Sequence, residues 1–416
     1  MTMKIAIVGA GAAGLAAIKY SIDQGYQCEA FEQAEVVGGT WNYTDQVGFD
    51  KNGLPIRTSM YQNLRTNLPK EVMMFENFPY KASLKESYIT QPEVLEYLND
   101  FAEKLDLKKH IQFNTLVTHI EPTEDDKWYV EVQDAVSKTK QKKIFDAVIV
   151  ANGKYHVPNM PSIPGLDTFS GHCIHSHDYR SAAPYTDKVV LVVGAGPSGI
   201  DISMQIHPVA KKVFLSFDPS CEFAAFIPKT LSHKVSIDKI VDNRVYFKDQ
   251  SVEEIEEIIL CTGYHYSFPF LSKKCGVSVD DNYVSGLYKE LVCIQYPSMV
   301  FMCIPGSVCP IPTYELQLRV AFAMWNGHLQ LPSREKMLKD AEEERKSKSC
   351  SNRKFHRKGI EGERLYWDDL AQIAGVKSVP NVVTKVHRYC FTQKKDTSKS
   401  FRIINDDEFE MVDQIN

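Results

Sequence analysis

Residues 4–14, KIAIVGAGAAG, pass from a short apolar run into a cluster of glycines. A stretch with helical character follows at residues 15–24, and a second β-rich run at residues 27–31 ends on Glu32. Two β-rich runs on either side of a helix predict a βαβ unit that begins almost at the first residue.

The glycines of this unit predict a phosphate-binding turn. Gly9 permits a tight turn, Gly11 lets the backbone approach a pyrophosphate, and Gly14 lets helix and strand pack closely. Ala13 lies in the same turn, and we include it among the cofactor-binding residues. The start of the helix offers unpaired N–H groups and a partial positive charge to phosphates. Because the motif follows a strand and opens a helix, we predict a dinucleotide site here.

The same arrangement recurs at residues 188–199, KVVLVVGAGPSG. A helical segment follows, and then a strand at residues 213–215 leads to Ser216. This repeat of a whole βαβ unit predicts a second dinucleotide site. Its predicted cofactor-binding residues are Gly194, Gly196, Pro197, Ser198 and Gly199.

The residue after the second strand distinguishes the two sites. Glu32 lies about 20 positions after the first glycines, where a carboxylate accepts hydrogen bonds from a ribose diol and repels a 2′-phosphate. It therefore predicts FAD. Ser216 is neutral at the matching position, tolerates or binds a 2′-phosphate, and predicts NADP. No arginine follows Ser216, and Lys211 and Lys212 are either solvated or additional phosphate contacts.

Each unit has a late apolar strand that ends in a small–polar–glycine turn. Residues 146–150 run into Ala151-Asn152-Gly153, and residues 257–260 run into Cys261-Thr262-Gly263. Such runs are typical of buried parallel strands that deliver a loop to a ligand. We therefore predict an α/β fold with two Rossmann-like dinucleotide-binding domains, the NADP domain inserted into the FAD domain.

The region between the two units predicts antiparallel strands at residues 115–121 and 127–133. The lysine-rich residues 138–143 predict a solvated loop at a hairpin tip. The predicted boundaries are 1–165 for the first part of the FAD domain, 166–290 for the NADP domain, and 291–416 for the return to the FAD domain with a C-terminal helical segment.

Composition narrows the class of protein. The chain has 416 residues, 44% of them hydrophobic, and a formal charge of −5, which argues against a nucleic-acid surface. None of the ten cysteines forms a CxxC pair, so we predict buried thiols and no metal site. No apolar run approaches the roughly 20 residues that span a bilayer. We expect a soluble protein without a membrane span, cytoplasmic, or secreted if a leader has been removed.

Residues 169–180, FSGHCIHSHDYR, fit the pattern F-x-G-x-x-x-H-x-x-x-Y/F that identifies flavin-containing monooxygenases. Residues 38–41, GGTW, resemble the second FAD segment of that family, and residues 66–73 resemble its active-site asparagine loop. Residues 262–270 resemble its TGY…FPF segment. Together with the two glycine motifs, the chain resembles this family over about residues 4–272, and more loosely to its end.

The resemblance implies the chemistry. Members of the family use NADPH and O2 to form a C4a-hydroperoxyflavin, which oxygenates the nitrogen or sulfur of a soft nucleophile. Asn67 matches the active-site asparagine, and we predict that its amide stabilises that intermediate; the alternative role is a turn residue. The chain lacks the apolar tail of the membrane-bound animal members. It resembles short forms, among them insect enzymes that N-oxygenate pyrrolizidine alkaloids.

The resemblance also implies further cofactor contacts. His175 of the identifying pattern is interpreted as a hinge or cofactor-side residue rather than a general base. The remaining predicted contacts are Gln33, Gly39, Thr40, Trp41, Leu64, Thr66, Val117, Thr262, Gly263, Tyr264 and Gln317.

Several alternatives stay open. Baeyer–Villiger monooxygenases carry tryptophan where this chain has Tyr179, which favours oxygenation of a heteroatom over insertion into a ketone. Disulfide reductases pair the same cofactors but need a redox-active cysteine pair, and this chain has no CxxC pair. An NADPH oxidase that releases hydrogen peroxide and a dinucleotide-binding scaffold are the other candidates. We expect an amine or sulfide substrate and molecular oxygen as partners, no nucleic acid, and leave self-association open.

Overall fold

The structure, a computed structural model, describes residues 3–221, 227–348, 350–392 and 399–413. The chain divides into two compact units. The first comprises Met1–Asn42, Arg65–Lys154 and Tyr266–Asn416, and the second comprises Tyr43–Leu64 and Tyr155–His265.

The secondary structure of the described residues alternates between helices and strands over much of the chain. The α-helices are α1 (Ala12–Asp23), α2 (Gln91–Lys104), α3 (Pro197–Ile206), α4 (Pro310–Trp325), α5 (Arg334–Ser347), α6 (Gly359–Ala374) and α7 (Asn381–Thr392). The strands are β1 (Lys4–Val8), β2 (Gln27–Phe31), β3 (Ile111–Gln112), β4 (Thr115–Pro122), β5 (Trp128–Asp134), β6 (Lys140–Phe145), β7 (Ala147–Val150), β8 (His172–His175), β9 (Val189–Val193), β10 (Lys212–Ser216), β11 (Ser232–Lys234), β12 (Ile237–Val241), β13 (Arg244–Phe247), β14 (Val252–Glu254), β15 (Glu257–Leu260), β16 (Ser278–Asp280), β17 (Tyr283–Ser285), β18 (Leu287–Tyr288), β19 (Val292–Cys293), β20 (Met299–Phe301), β21 (Lys399–Ile403) and β22 (Phe409–Asp413).

The first unit is built on a seven-stranded sheet in the order β18-β19-β20-β7-β1-β2-β3. The five strands β20, β7, β1, β2 and β3 run parallel to one another. Strands β18 and β19 add an antiparallel edge beside β20. Val8, the last residue of β1, pairs with Phe31 of β2 and Val150 of β7. This register brings the carboxyl ends of three strands to one edge, where parallel sheets bind ligands.

The second unit is built on an all-parallel sheet in the order β11-β10-β9-β15-β8. Val193 of β9 pairs with Ser216 of β10 and Leu260 of β15, so three carboxyl ends again share one edge. The predicted α/β class with parallel sheets is confirmed in both units.

Residues 43–64 belong to the second unit because Arg180 holds them there. Its guanidinium donates to the carbonyl of Gln46 at 3.0 Å, and its own carbonyl accepts from the N–H of Gln62 at 2.8 Å. His177 adds a 3.0 Å contact between Nε2 and the carbonyl of Ile56. The segment that identifies the family resemblance thus anchors a loop from far upstream in the sequence.

Each unit has its own hydrophobic core. In the first unit, one cluster of buried side chains lies between the sheet and α1, α2, α4, α6 and α7, and another lies on the sheet side that faces β4, β5 and β6. In the second unit, two clusters cover the two faces of the five-stranded sheet. Burial on both faces explains the continuous apolar runs of β1, β7, β9 and β15.

The lysine-rich residues 138–143 correct one prediction. Residues from Lys140 onward form β6, which pairs antiparallel with β5, rather than a loop at a hairpin tip. Lys140 Nζ lies 2.8 Å from Glu131 Oε1, and Lys142 Nζ lies 5.3 Å from the centre of the Tyr129 ring. Cross-strand pairs of this kind stabilise an exposed strand.

The borders of the two units differ from the predicted boundaries after residues 165 and 290. Asn159 donates from its N–H to the carbonyl of Gly263 at 2.9 Å, which ties residues 155–165 to the second unit. Strand β18 joins the edge of the seven-stranded sheet, which places residues before 290 in the first unit.

Among the described helices, none is both long enough and apolar enough to cross a membrane.

Candidate functional site

The first glycine turn joins the end of β1 to the start of α1. Gly9 has a φ of +98° and donates from its N–H to the carbonyl of Phe31 at 2.9 Å. A Cβ at Gly14 would lie 2.0 Å from the carbonyl oxygen of Gly9, so only glycine allows this approach of helix and turn. Ala13 is buried in the first turn of α1. The helix N-terminus at this turn supplies the partial positive charge that suits a phosphate.

Glu32 is held at the same sheet edge by two backbone donors. Its Oε2 accepts from the N–H of Ala10 at 2.8 Å, and its Oε1 accepts from the N–H of Ala34 at 2.9 Å. The residue is 7% exposed. Because Ala10 lies within the glycine turn, the carboxylate and the turn form one rigid feature. Gln33, the next residue, is half-buried.

A second glycine segment packs on the first turn. Gly38 donates from its N–H to the carbonyl of Ala10 at 3.1 Å, and Gly39–Trp41 form a short 3-10 helix. A Cβ at Gly39 would lie 3.0 Å from the Cα of Gly11. The structure therefore brings the two glycine segments and Glu32 together into one cradle.

This cradle fits FAD. Gly9 and Gly14 leave no room for a Cβ, which keeps the turn tight, and Gly11 carries no side chain at the point where the motif brings a pyrophosphate to the backbone. Glu32 presents the carboxylate that a ribose diol needs. The fit depends on residues of the first unit alone.

The asparagine loop lies where the chain returns to the first unit at Arg65. Thr66 is buried and donates from its N–H to the carbonyl of Ile89 at 2.8 Å. Asn67, the next residue, has an exposed side chain. Leu64 is half-buried and is the last residue of the 43–64 segment, in the second unit. The loop thus fixes its backbone at Thr66 and leaves the amide of Asn67 accessible.

Two other predicted contacts have buried side chains. Val117 lies in β4, at an irregular point of the register with β5, and packs in the core. Gln317 is fully buried in α4, where its Nε2 donates to the hydroxyl of Tyr366 at 2.8 Å. That hydroxyl donates in turn to the carbonyl of Lys289 at 3.1 Å. A cofactor role for either residue stays a prediction.

The second glycine turn repeats the geometry of the first. Gly194 has a φ of +104° and donates from its N–H to the carbonyl of Ser216 at 2.8 Å. A Cβ at Gly199 would lie 1.8 Å from the carbonyl oxygen of Gly194, whereas a Cβ at Gly196 would meet nothing within 4 Å. Pro197 begins α3, with Ser198 after it. Gly199 therefore serves packing, and Gly196 borders open space that suits a phosphate.

The hydroxyl of Ser216 is hydrogen-bonded within the second unit. The side chain is buried, and its hydroxyl donates to the carbonyl of Val235 at 2.8 Å. The position still differs from Glu32 in the way that matters for a 2′-phosphate, because it carries no negative charge.

The turn after β15 is closed by side-chain hydrogen bonds. The hydroxyl of Thr262 donates to the carbonyl of Asn159 at 2.6 Å, and Asn159 Nδ2 donates to the carbonyl of Thr262 at 2.9 Å. Gly263 has a φ of +83°. Burial raises the pKa of Tyr264 well above its usual range, so the phenol stays protonated at neutral pH. The structure thus holds these predicted residues in one rigid turn.

Sequence reasoning named His175 but missed His177, and both imidazoles lie beside Tyr264. The ring centres of His175 and His177 lie 5.2 Å and 5.9 Å from that of Tyr264, and His177 donates from its N–H to Nδ1 of His175 at 3.0 Å. Burial lowers the pKa of His175 to about 4 and also lowers the pKa of His177. An imidazole whose conjugate acid has a pKa of about 4 is a weak base, and Nδ1 of His175 already accepts a backbone hydrogen bond, which agrees with a positioning role for His175. Three histidines within twelve residues were the available signal.

Comparison with known proteins agrees with this geometry. The Flavin-binding monooxygenase-like family model matches residues 2–227 and 224–390. Senecionine N-oxygenase of Tyria jacobaeae is 32% identical over 98% of this chain and 91% of its own. Flavin-containing monooxygenase FMO GS-OX-like 4 of Arabidopsis thaliana is 35% identical over 80% of this chain and 78% of its own. The structure of S-allyl-L-cysteine S-oxygenase from Allium sativum has a TM-score of 0.86 and 30% identity, covering 94% of this chain and 92% of its own.

The comparisons confirm the predicted fold of two Rossmann domains and the predicted kind of enzyme. The predicted cofactors, FAD and NADP(H), are those of the family. The cradle of the first unit and the glycine turn of the second, together with a match over most of the chain, show that this protein belongs to the flavin-containing monooxygenase family.

Proposed function

We propose that this enzyme uses NADPH and O2 to oxygenate the nitrogen or sulfur of soft nucleophilic small molecules, with tertiary-amine alkaloids as one substrate class. The observation that carries the proposal is the unequal pair of dinucleotide sites. Glu32 offers a fixed carboxylate at the first, whereas Ser216 is neutral at the second. The carboxylate selects a ribose diol, and the neutral residue admits a 2′-phosphate.

Two relatives support the choice of acceptor atom. One is named for N-oxygenation of senecionine and aligns with 98% of this chain. Another is named for S-oxygenation of S-allyl-L-cysteine and has the same fold over 94% of this chain. Nitrogen and sulfur are therefore the acceptors to test first.

The protein's own residues hold and shield the reactants. Bound FAD would supply two-electron transfer and activation of O2. The N-terminus of α1 and the carboxylate of Glu32 would hold its pyrophosphate and ribose, and the turn at Gly196 would hold the pyrophosphate of NADPH. We propose that Nδ2 of Asn67 donates a hydrogen bond during oxygen transfer, because its amide is accessible next to the anchored Thr66.

The test follows NADPH, hydrogen peroxide and product together. Purified holoenzyme would be supplied with NADPH and labelled O2, with senecionine or S-allyl-L-cysteine as substrate. We expect one labelled oxygen atom in the product for each NADPH oxidised. Peroxide released in proportion to NADPH with every amine and sulfide tested would instead make the protein an oxidase.

Substitution of Asn67 tests the proposed donor. Because a hydrogen bond contributes up to about 1.5 kcal/mol net, which corresponds to a factor of about 10 in rate, we expect Asn67→Ala to lower product per NADPH about tenfold, with more peroxide. Asn99→Ala, which removes an amide on α2, is the matched control and should stay coupled. Normal coupling in Asn67→Ala would leave Asn67 as a turn residue only.

A further inference from the structure

Three metal-ligating side chains of the first unit converge in its helical core. Cys309 precedes α4, Glu363 lies in α6 and His387 lies in α7. One ligand atom of each residue lies within 4.8 Å of the other two. Cys309 and Glu363 are 0% exposed, and His387 is 2% exposed. These helices pack together in one core. The three side chains therefore meet because the helices pack, and no short sequence motif brings them together.

Existing contacts fix the carboxylate between its two neighbours. Glu363 Oε2 lies 2.7 Å from Nδ1 of His387, and Glu363 Oε1 accepts from the N–H of Cys309. The imidazole ring also packs on Phe391, with ring centres 5.0 Å apart. A fully buried carboxylate is expensive unless it is paired, so this arrangement needs a positive partner.

Charge balance allows a metal ion to be that partner. A neutral His387, the Glu363 carboxylate, a Cys309 thiolate and a divalent cation together have a net charge of zero. Zinc binds such ligands in their deprotonated forms, so the ion would leave no net charge buried in the cluster.

We propose that Cys309, Glu363 and His387 bind a zinc ion. Sulfur, oxygen and imidazole nitrogen are the ligand types that Zn²⁺ takes in proteins. Ligand atoms around a tetrahedral zinc lie about 3.3–3.6 Å apart, so Glu363 and His387 separate by less than about 1 Å from their present contact. The fourth ligand is a water molecule or Cys390, which lies three residues after His387 on the same face of α7.

The zinc ion is structural in this proposal. It joins α6 and α7 to the residue that precedes α4, far inside the core and away from solvent. The proposal departs from the expectation of no metal site, which was based on the lack of a CxxC pair. It also stands apart from the proposed monooxygenation, since its readout is metal content and ligation.

The experiment measures zinc in the full-length holoenzyme. Protein produced with zinc chloride and dialysed against chelator would be analysed for metal content and by zinc X-ray absorption. We expect one zinc ion per chain, with one sulfur at about 2.3 Å, or two if Cys390 binds, and nitrogen or oxygen at about 2.0–2.1 Å. Failure of the wild-type protein to retain zinc, or a zinc environment without sulfur, would overturn the proposal.

Two cysteine variants separate this site from adventitious binding. Cys309→Ser should lose zinc or its sulfur signal. Cys293→Ser should retain both, because that buried thiol lies in β19 and donates to the carbonyl of Cys275. Equal zinc and equal sulfur in the two variants would also overturn the proposal. Flavin content and circular dichroism report whether each variant is folded. The zinc X-ray absorption spectrum of the wild-type protein tests the proposal even if a variant does not fold.

Discussion

A single buried carboxyl group on α4 makes the first unit sensitive to pH. Glu315 is buried, accepts from the hydroxyl of Tyr20 at 3.4 Å and from the N–H of Glu76 at 2.9 Å. Burial raises the pKa of Glu315 from 4.5 to about 7, although the bond from Glu76 opposes the change. The folded protein therefore favours the protonated acid, and this stabilisation is complete below pH 4.5 and lost as the pH rises to about 7.

Substitution of Glu315 by glutamine tests this pH dependence. Glutamine keeps the shape and stays neutral, so Glu315→Gln should gain stability over the wild type as the pH rises from 5 to 8. The gain is at most about 3 kcal/mol, because each pKa unit corresponds to about 1.4 kcal/mol. Denaturant unfolding at both pH values measures it. An equal difference between the two proteins at pH 5 and pH 8 would contradict the assignment.

Residue identity in the two glycine turns was readable from the sequence, but side-chain direction was not. Gly9 and Gly194 have the positive φ that their motifs predict. Ser216 lies at the predicted strand end, yet its hydroxyl turns to Val235 because a buried hydroxyl needs an acceptor. Such a choice depends on a neighbouring strand, β11, and its following residues, which local sequence does not specify.

In the turn between β9 and α3, one glycine is needed for packing and another borders the space where a ligand would bind. Gly199 touches the backbone of Gly194, and Gly196 borders open space. Gly199→Ala should therefore destabilise the second unit by about 1–3 kcal/mol, the usual effect of overpacking. Gly196→Ala should keep the thermal stability but raise KM for NADPH about tenfold or more, because the methyl group occupies the approach of the pyrophosphate.

Thermal unfolding and steady-state kinetics on the two variants provide the comparison. Each variant is the control for the other, since both add one methyl group to the same turn. The assignment fails if Gly196→Ala unfolds at a lower temperature than Gly199→Ala, or if it binds NADPH normally.

Elements with a strong local signal matched their predictions, and those shaped by distant partners did not. Strand β15 occupies residues 257–260 as predicted, because a short apolar run between turns is a local signal. Strand β6 is missed because its lysines look solvated, and its pairing with β5 decides its conformation. Cys309, Glu363 and His387 have no local signal, since they come together only when three helices pack.

At the scale of the whole molecule, two sets of hydrophobic clusters imply two unfolding events. Each cluster of buried side chains falls entirely within one unit. A ligand at about 100 times its Kd stabilises its own unit by about 2.7 kcal/mol, which shifts a transition by roughly 5–10 °C.

Calorimetry of the protein with and without each cofactor tests this division. We expect FAD removal to lower the transition of the first unit, and NADP⁺ to raise that of the second. Stripped protein reloaded with FAD is the control for damage. A single transition that responds equally to both cofactors would show that the chain unfolds as one cooperative body.

The three-part construction of the first unit also determines how the protein forms during synthesis. Strand β7 must wait for β20, about 150 residues later, before it gains its second neighbour in the sheet. The second unit is complete once residue 265 has left the ribosome, while the first still lacks its last segment. A nascent chain therefore holds an unfinished seven-stranded sheet with exposed edges, and it needs protection from aggregation until its final helices arrive.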